Sequence, residues 1–83
     1  MNISEKIDKL ASIAYSIQIE RTGSLEEFAK KCGMKKDQLT DYIDTLRQFT
    51  GREGAKICYS RYRKTYYFDP PGKFSDFRFK PFP

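Results

Sequence analysis

An α+β fold, with three helices followed by a β-hairpin and an aromatic C-terminal tail, is predicted for this chain of 83 residues. Up to about residue 49, apolar residues recur every three or four positions, as they do on one face of an α-helix. After Gly51 the period shortens to two, in segments rich in the Tyr, Ile and Phe residues that favour strands. An aromatic fraction of 16% suits a folded chain, and the length suits one domain.

The first helix is predicted over residues 1–21. Its apolar stripe advances by alternate steps of four and three residues and consists of Ile3, Ile7, Leu10, Ala14 and Ile17. Ile13 and Tyr15 widen or depart from this stripe, which leaves room for a second contact surface. Thr22 and Gly23 break the helix.

The second helix is predicted over residues 24–33 because it has both a start and a stop signal. Ser24 and Glu27 have the spacing of a capping box, in which each side chain accepts a hydrogen bond from a backbone N–H. Gly33 ends the helix, since glycine adopts a positive φ at least cost. Lys30 and Lys31 either complement the helix dipole or contact phosphate.

The third helix is predicted over residues 35–49, and a glycine turn separates it from the second. This is the arrangement of a helix-turn-helix, whose second helix commonly enters a DNA groove. One face is apolar (Leu39, Tyr42, Ile43 and Leu46), and the opposite face holds Asp37, Asp41, Asp44 and Gln48. Phosphates repel such carboxylates, so the candidates for favourable groove contacts lie on the shoulders: Lys35, Lys36, Gln38, Thr40 and Thr45.

A β-hairpin is predicted over residues 55–68, with two strands whose inner face holds Ile57, Tyr59, Tyr66 and Phe68. Its turn places three cations around one tyrosine: Arg61, Tyr62, Arg63 and Lys64. These residues are candidates for contacts to phosphates or to an adjacent minor groove. The alternative is a solvated turn without a ligand.

The tail, residues 69–83, begins with a Pro-Pro-Gly stop and contains four phenylalanines: Phe74, Phe77, Phe79 and Phe82. Exposure of all four is improbable for a monomer in water. The tail is therefore expected either to fold back over the helices or to add to the sheet edge of a second copy.

The net charge of +5 is unevenly distributed along the chain. Residues 1–50 hold equal numbers of basic and acidic residues, whereas residues 51–83 hold eight basic and three acidic ones. A polyanion would be attracted to the second part, although excess charge can also serve solubility alone.

Composition argues against several other classes of protein. The chain has no histidine, no phosphate-cradling glycine loop and no nucleophile beside an evident base, so we expect neither an enzyme nor a metal or other cofactor, and no small-molecule ligand is evident. No apolar run approaches the length of a membrane span, and no signal peptide is evident. We expect a cytoplasmic protein, with Cys32 and Cys58 as free thiols rather than as a disulfide.

The pattern from Thr22 to Leu46, continued by Ile57-Cys58-Tyr59, Tyr66-Tyr67-Phe68 and Phe77-Arg78-Phe79, resembles small stand-alone winged helix-turn-helix domains of bacterial transcriptional regulators, especially those of Bacteroidota. The resemblance implies that the third helix is the recognition helix and the hairpin is its wing. Its base-facing segment would comprise Lys35, Lys36, Asp37, Gln38, Thr40 and Asp41, with acidic residues at two positions where such domains tend to be basic.

The leading interpretation is a protein that binds double-stranded DNA, as a transcriptional regulator or as an architectural factor of a mobile element. Cations of the wing and of the tail would neutralise phosphates while the third helix sets the register. A homodimer would form through the first helix or through residues 73–82. The alternative is a winged-helix module for protein–protein interaction, which presents the acidic stripe of Asp37, Asp41 and Asp44 to a basic partner.

Overall fold

The computed structural model describes residues 3–83 and has an α+β architecture. Three helices come first: α1 (Ile3–Gln18), α2 (Leu25–Cys32) and α3 (Lys36–Arg52). Two antiparallel hairpins follow, one formed by β1 (Lys56–Ser60) and β2 (Thr65–Asp69) and the other by β3 (Gly72–Ser75) and β4 (Arg78–Pro81). The hairpins are separate two-stranded sheets that pack on the helices: α1 contacts β2 and β3, and α3 contacts β1 and β4.

Only part of the predicted stripe of α1 reaches the core. Leu10, Ala14 and Ile17 are buried together with Ile13, whereas Ile3 is 75% exposed and Ile7 is 40% exposed. Residues 3–8, which form the first turns of α1, are all exposed. Residues 1 and 2 of the predicted helix lie outside the described part of the chain.

The start and stop signals of α2 are found in the structure, although only the Ser24 half of the predicted capping box forms among the described residues. The Ser24 hydroxyl accepts a hydrogen bond from the backbone N–H of Glu27 at 3.2 Å, and Gly33 adopts the left-handed conformation with φ 66°. The predicted apolar face of α3 is confirmed, since Leu39, Ile43 and Leu46 are buried and Tyr42 packs beside them. α3 extends to Arg52 instead of ending at residue 49, because its last turn tolerates Gly51.

In the first hairpin, the four residues of the predicted inner face form two facing pairs. Ile57 lies opposite Phe68 in the core, and Tyr59 lies opposite Tyr66 two pairs nearer the turn. The two tyrosine rings meet edge to face, with centroids 4.9 Å apart. Tyr59 keeps 38% of its surface exposed because it lies near the turn end of this hairpin.

The tail folds back onto its own chain, as one of the two predicted arrangements has it, and it does so as a second hairpin. Phe79 is only 1% exposed and packs edge to face on Phe68, with ring centroids 5.0 Å apart. The two-residue turn places Asp76 and Phe77 at φ 51° and 59°, which is the conformation of a tight hairpin turn with both central residues at positive φ. Packing of the Phe77 ring on Phe49, at 5.4 Å between ring centroids, offsets the cost of this backbone conformation.

Candidate nucleic-acid interface

The outward face of α3 is acidic in the structure, as its sequence predicts. Asp37, Asp41 and Asp44 are all exposed. Asp44 forms an ion pair with Arg47 at 3.1 Å, and the same guanidinium donates a hydrogen bond to the Ile57 carbonyl at 3.4 Å. Among the described residues 3–83, Asp37 and Asp41 have no ion-pair partner, so they give this face its negative charge.

Two of the three polar candidates at the start of α3, Lys36 and Gln38, have side-chain partners within the protein. The Lys36 ammonium lies 3.2 Å from a carboxylate oxygen of Glu26. Gln38 Oε1 accepts a hydrogen bond from the backbone N–H of Lys35 at 3.1 Å, which caps the helix. The Lys35 side chain is exposed and forms no ion pair within the described residues, so it is the freest cation of this segment.

The hydroxyls of the two candidate threonines, Thr40 and Thr45, likewise bond within the protein, to the backbone of α3 itself. Thr40 Oγ1 donates to the Lys36 carbonyl at 2.9 Å, and Thr45 Oγ1 donates to the Asp41 carbonyl at 3.0 Å. Hydroxyl-to-carbonyl bonds of this kind are common where threonine lies within a helix. The donor hydrogens of both hydroxyls are therefore used, and only their lone pairs face solvent.

The loop between β1 and β2, residues 61–64, presents the most exposed aromatic side chain of the described residues. Tyr62 is 96% exposed, with Arg61 beside it and Lys64 two positions on. Ser60 Oγ accepts a hydrogen bond from the backbone N–H of Arg63 at 3.1 Å, and Lys64 has φ 53°, so the backbone of the loop follows a defined turn. Arg61 and Lys64 form no ion pair within the part of the chain that the structure describes.

Arg63, in the same loop, is turned toward the body of the protein. Its guanidinium forms an ion pair with Glu20, just beyond the end of α1, and lies over the Tyr67 ring at 4.9 Å from the centroid. These contacts leave it less free for phosphate than Arg61 and Lys64. Arg63 instead fixes the loop against α1.

A buried pair of hydroxyls attaches the first hairpin to the loop between α1 and α2. Thr22 and Thr65 are both buried, with Oγ1 atoms 3.2 Å apart. The Thr22 hydroxyl accepts the backbone N–H of Tyr66 at 2.9 Å, and Thr65 Oγ1 accepts the backbone N–H of Thr22 at 3.2 Å. Together with Arg63, this pair sets where the loop of residues 61–64 stands relative to the helices.

The second hairpin gathers the cations of the tail on one exposed face, an arrangement that the sequence pattern did not predict. Its outward side chains pair as Lys73 with Lys80 and Ser75 with Arg78, and all four are exposed. The alternating segments Lys73-Phe74-Ser75 and Arg78-Phe79-Lys80 are the signal that could have revealed it. The signal is weak because phenylalanine occupies a turn position that normally favours glycine.

A groove of about 490 Å³ runs between α1 and the first half of α3. Leu10, Met34 and Tyr42 supply its apolar surface, and Lys6 and Asp41 stand on opposite helices at its rim. The exposed Ile7 of α1 lies one turn before Leu10.

Burial shifts the pKa of one thiol and one phenol, those of Cys32 and Tyr66. Burial raises the pKa of the Cys32 thiol above its ordinary value, and Lys31 lowers it to a smaller extent. Burial likewise raises the pKa of the Tyr66 phenol, with Arg47 acting in the opposite direction and Tyr59 adding to the rise. Both groups are therefore protonated and neutral near pH 7, and both cysteines are free thiols.

None of the three helices described within residues 3–83 is long and apolar enough to cross a membrane. The chain matches no protein-family model, no curated protein and no solved structure, so the interpretation of this interface rests on its own residues and their geometry.

Proposed function

We propose that this protein binds duplex DNA through phosphate contacts made by the loop of residues 61–64, in the manner of a winged helix-turn-helix domain whose wing is the first hairpin. The observation that carries the proposal is the pairing of an almost fully exposed Tyr62 with the unpaired cations Arg61 and Lys64. Removing the apolar surface of a tyrosine from water is favourable. An exposed tyrosine in a basic loop is therefore suited to a ligand that offers both negative charge and a surface on which the ring can stack.

The loop of residues 61–64 would be preorganised for contact with DNA. Arg63 and the Thr22–Thr65 pair hold its base, so Arg61 and Lys64 approach phosphates with little rearrangement. Tyr62 would lie against a sugar or the edge of a base in the minor groove. Both contacts tolerate any sequence, which suits an architectural factor at least as well as a regulator with a single operator.

The helix α3 would set the register of the protein on the duplex and contribute little to affinity. Its threonine hydroxyl hydrogens are used internally, and Asp37 and Asp41 oppose the approach of phosphates. Lys35, at its start, remains available for one phosphate contact.

The test is fluorescence anisotropy of a labelled duplex of random sequence, titrated at about 50 mM and at about 150 mM salt. The double variant Arg61→Gln, Lys64→Gln is expected to reduce the slope of log affinity against log salt by about 1.8, since each lost phosphate contact removes about 0.9. The variant Tyr62→Ser is expected to weaken binding at both salt concentrations with an unchanged slope, because it removes no charge.

The control loses the same two charges at sites outside the loop. In the variant Lys6→Gln, Lys56→Gln one lysine is on α1 and the other lies opposite Asp69 in the first hairpin. It is expected to keep most of the wild-type slope. A slope that falls equally in both double variants would assign binding to net charge, and absence of binding by the wild-type protein at about 50 mM salt would refute the proposal.

A second candidate function is a protein-interaction module. It is favoured by the groove between α1 and α3, where apolar surface from Leu10, Met34 and Tyr42 adjoins the unpaired Asp41. A basic, amphipathic segment of a partner fits this chemistry. Under this alternative the acidic face of α3 is the binding surface rather than an obstacle to DNA.

A further inference from the structure

The basic face of the second hairpin, formed by Lys73, Ser75, Arg78 and Lys80, contains an unfavourable arrangement. Lys73 and Lys80 are directly opposite each other on adjacent strands. Side chains in such pairs approach within about 5 Å at their Cβ atoms, and like charges there destabilise a sheet. The corresponding pair at the start of the first hairpin, Lys56 with Asp69, joins opposite charges instead.

The second hairpin has no internal compensation for these two lysines. Arg78 lies 3.6 Å from a carboxylate oxygen of Glu53, just beyond the end of α3, and this is the ion pair that the face makes within the described residues. Within the described residues 3–83, neither lysine has an ion-pair partner. An external anion would relieve the repulsion that the fold leaves in place.

We propose that this basic face is a second phosphate-binding surface, which contacts the backbone of the same duplex as the loop of residues 61–64; the proposal rests on the function proposed above. The face carries three cations and a serine and no aromatic side chain. It is therefore suited to phosphate oxygens and offers nothing to stack on a base.

The two surfaces attach to different parts of the protein. In the loop of residues 61–64, Arg63 pairs with Glu20 just beyond the end of α1, whereas in the basic face Arg78 pairs with Glu53 just beyond the end of α3. A duplex that contacts both is gripped at two separated points. Such a grip fixes the direction of the duplex across the protein, which one loop alone does not.

The test compares the variant Lys73→Gln, Lys80→Gln with the wild-type protein in the same anisotropy titration and in urea denaturation. The salt slope is expected to fall by about 1.8, as for two lost phosphate contacts. The denaturation midpoint is expected to hold or rise, because the repulsion between the two lysines is gone. Weaker binding by a protein of equal or greater stability is the signature of a ligand-binding surface.

Two further variants keep the outcome clear if the first variant folds poorly. Lys73→Arg, Lys80→Arg keeps both charges and is expected to retain the wild-type slope. Lys80→Glu places a carboxylate opposite Lys73, so it is expected to stabilise the hairpin while it weakens DNA binding. Lys6→Gln, Lys56→Gln again serves as the control for net charge.

The outcomes separate this inference from the proposed function. Suppose that the wild-type protein binds and that the double variant Arg61→Gln, Lys64→Gln lowers the salt slope. If the double variant Lys73→Gln, Lys80→Gln then leaves the slope unchanged, the basic face is excluded while the proposed function stands. Binding by the wild-type protein to vesicles rich in anionic lipid, with none to duplex at about 50 mM salt, would overturn both proposals.

Discussion

At the scale of single residues, two buried threonines decide where the first hairpin stands. Thr22 and Thr65 lie 43 positions apart in sequence, yet their hydroxyls and two backbone N–H groups form one compact network. Buried polar groups of this kind stabilise a fold only while every member keeps its partner. The network therefore makes the hairpin position sensitive to a change of a single atom.

The variant Thr22→Val tests this network. It keeps the side-chain shape but leaves the Tyr66 N–H without an acceptor, so we expect the free energy of unfolding to fall by about 1–3 kcal/mol. Thr22→Ser keeps the hydroxyl and is expected to lose clearly less. Urea denaturation followed by circular dichroism measures both, and equal losses in the two variants would show that packing alone matters at this position.

Prediction from sequence succeeds for residues whose roles are local and fails for this pair. The cap at Ser24 and the positive φ at Gly33 depend on neighbours within a few positions, and the sequence predicts both. The Thr22–Thr65 contact depends on how distant elements meet. Thr22 was predicted only to help break the first helix, because no periodicity marks a hydrogen bond across 43 positions.

At the scale of elements, α3 shows which features of a helix the sequence periodicity predicts and which it does not. The turn of about 100° per residue places Leu39, Ile43 and Leu46 in the core and leaves the aspartates outside, as predicted. Periodicity does not reveal which polar side chains bind one another. The pairs of Lys36 with Glu26 and of Gln38 with the Lys35 backbone appear only in the folded chain.

The variant Asp37→Asn, Asp41→Asn distinguishes the two candidate functions at this element. If the protein binds DNA, removal of two unpaired carboxylates from α3 is expected to raise affinity for random duplex roughly several-fold at low salt. Anisotropy titration measures the change. Asp44→Asn is the matched control, because the charge of Asp44 is already paired with Arg47 and should matter less. Weaker DNA binding by the double variant would contradict the role assigned to α3.

The second hairpin is the element that sequence reasoning missed. Its turn residues, Asp76 and Phe77, both adopt positive φ, yet only the aspartate is a usual choice there. A contact with Phe49 makes the conformation of Phe77 acceptable, and that contact is tertiary. The tail was expected either to fold back over the helices or to add to the sheet edge of a second copy, with a strand-like alternation at Phe77-Arg78-Phe79, and its arrangement as a hairpin with one basic face was not predicted.

At the scale of the whole molecule, the core is closed by the tail. Phe79 of β4 is fully enclosed and contacts Phe68 of the first hairpin, while α1 and α3 pack on the two hairpins together. A chain of 83 residues buries a small core, so one such side chain is a considerable part of it.

The variant Phe79→Ala measures this contribution. A cavity at a buried phenylalanine is expected to lower the free energy of unfolding by about 3–5 kcal/mol, which is a large share of the stability of a small domain. Phe82→Ala provides the control in the same segment, because Phe82 is 52% exposed and its loss should cost about 0.5 kcal/mol or less. Thermal and urea unfolding measure both. A small effect of Phe79→Ala would mean that the helices and first hairpin hold the core alone.

Closure of the core by β4 also has a consequence for synthesis. The three helices and the first hairpin leave the ribosome before Phe79 does, at about 5–20 residues per second. Until β4 emerges, Phe68 lacks its ring partner and α1 lacks the second of the two hairpins that pack on it. The nascent chain therefore exposes apolar surface during this interval. Folding is completed by a contact between segments far apart in sequence, and such contacts form more slowly than local ones. For this protein, the interval before β4 appears is when a chaperone would have most to bind.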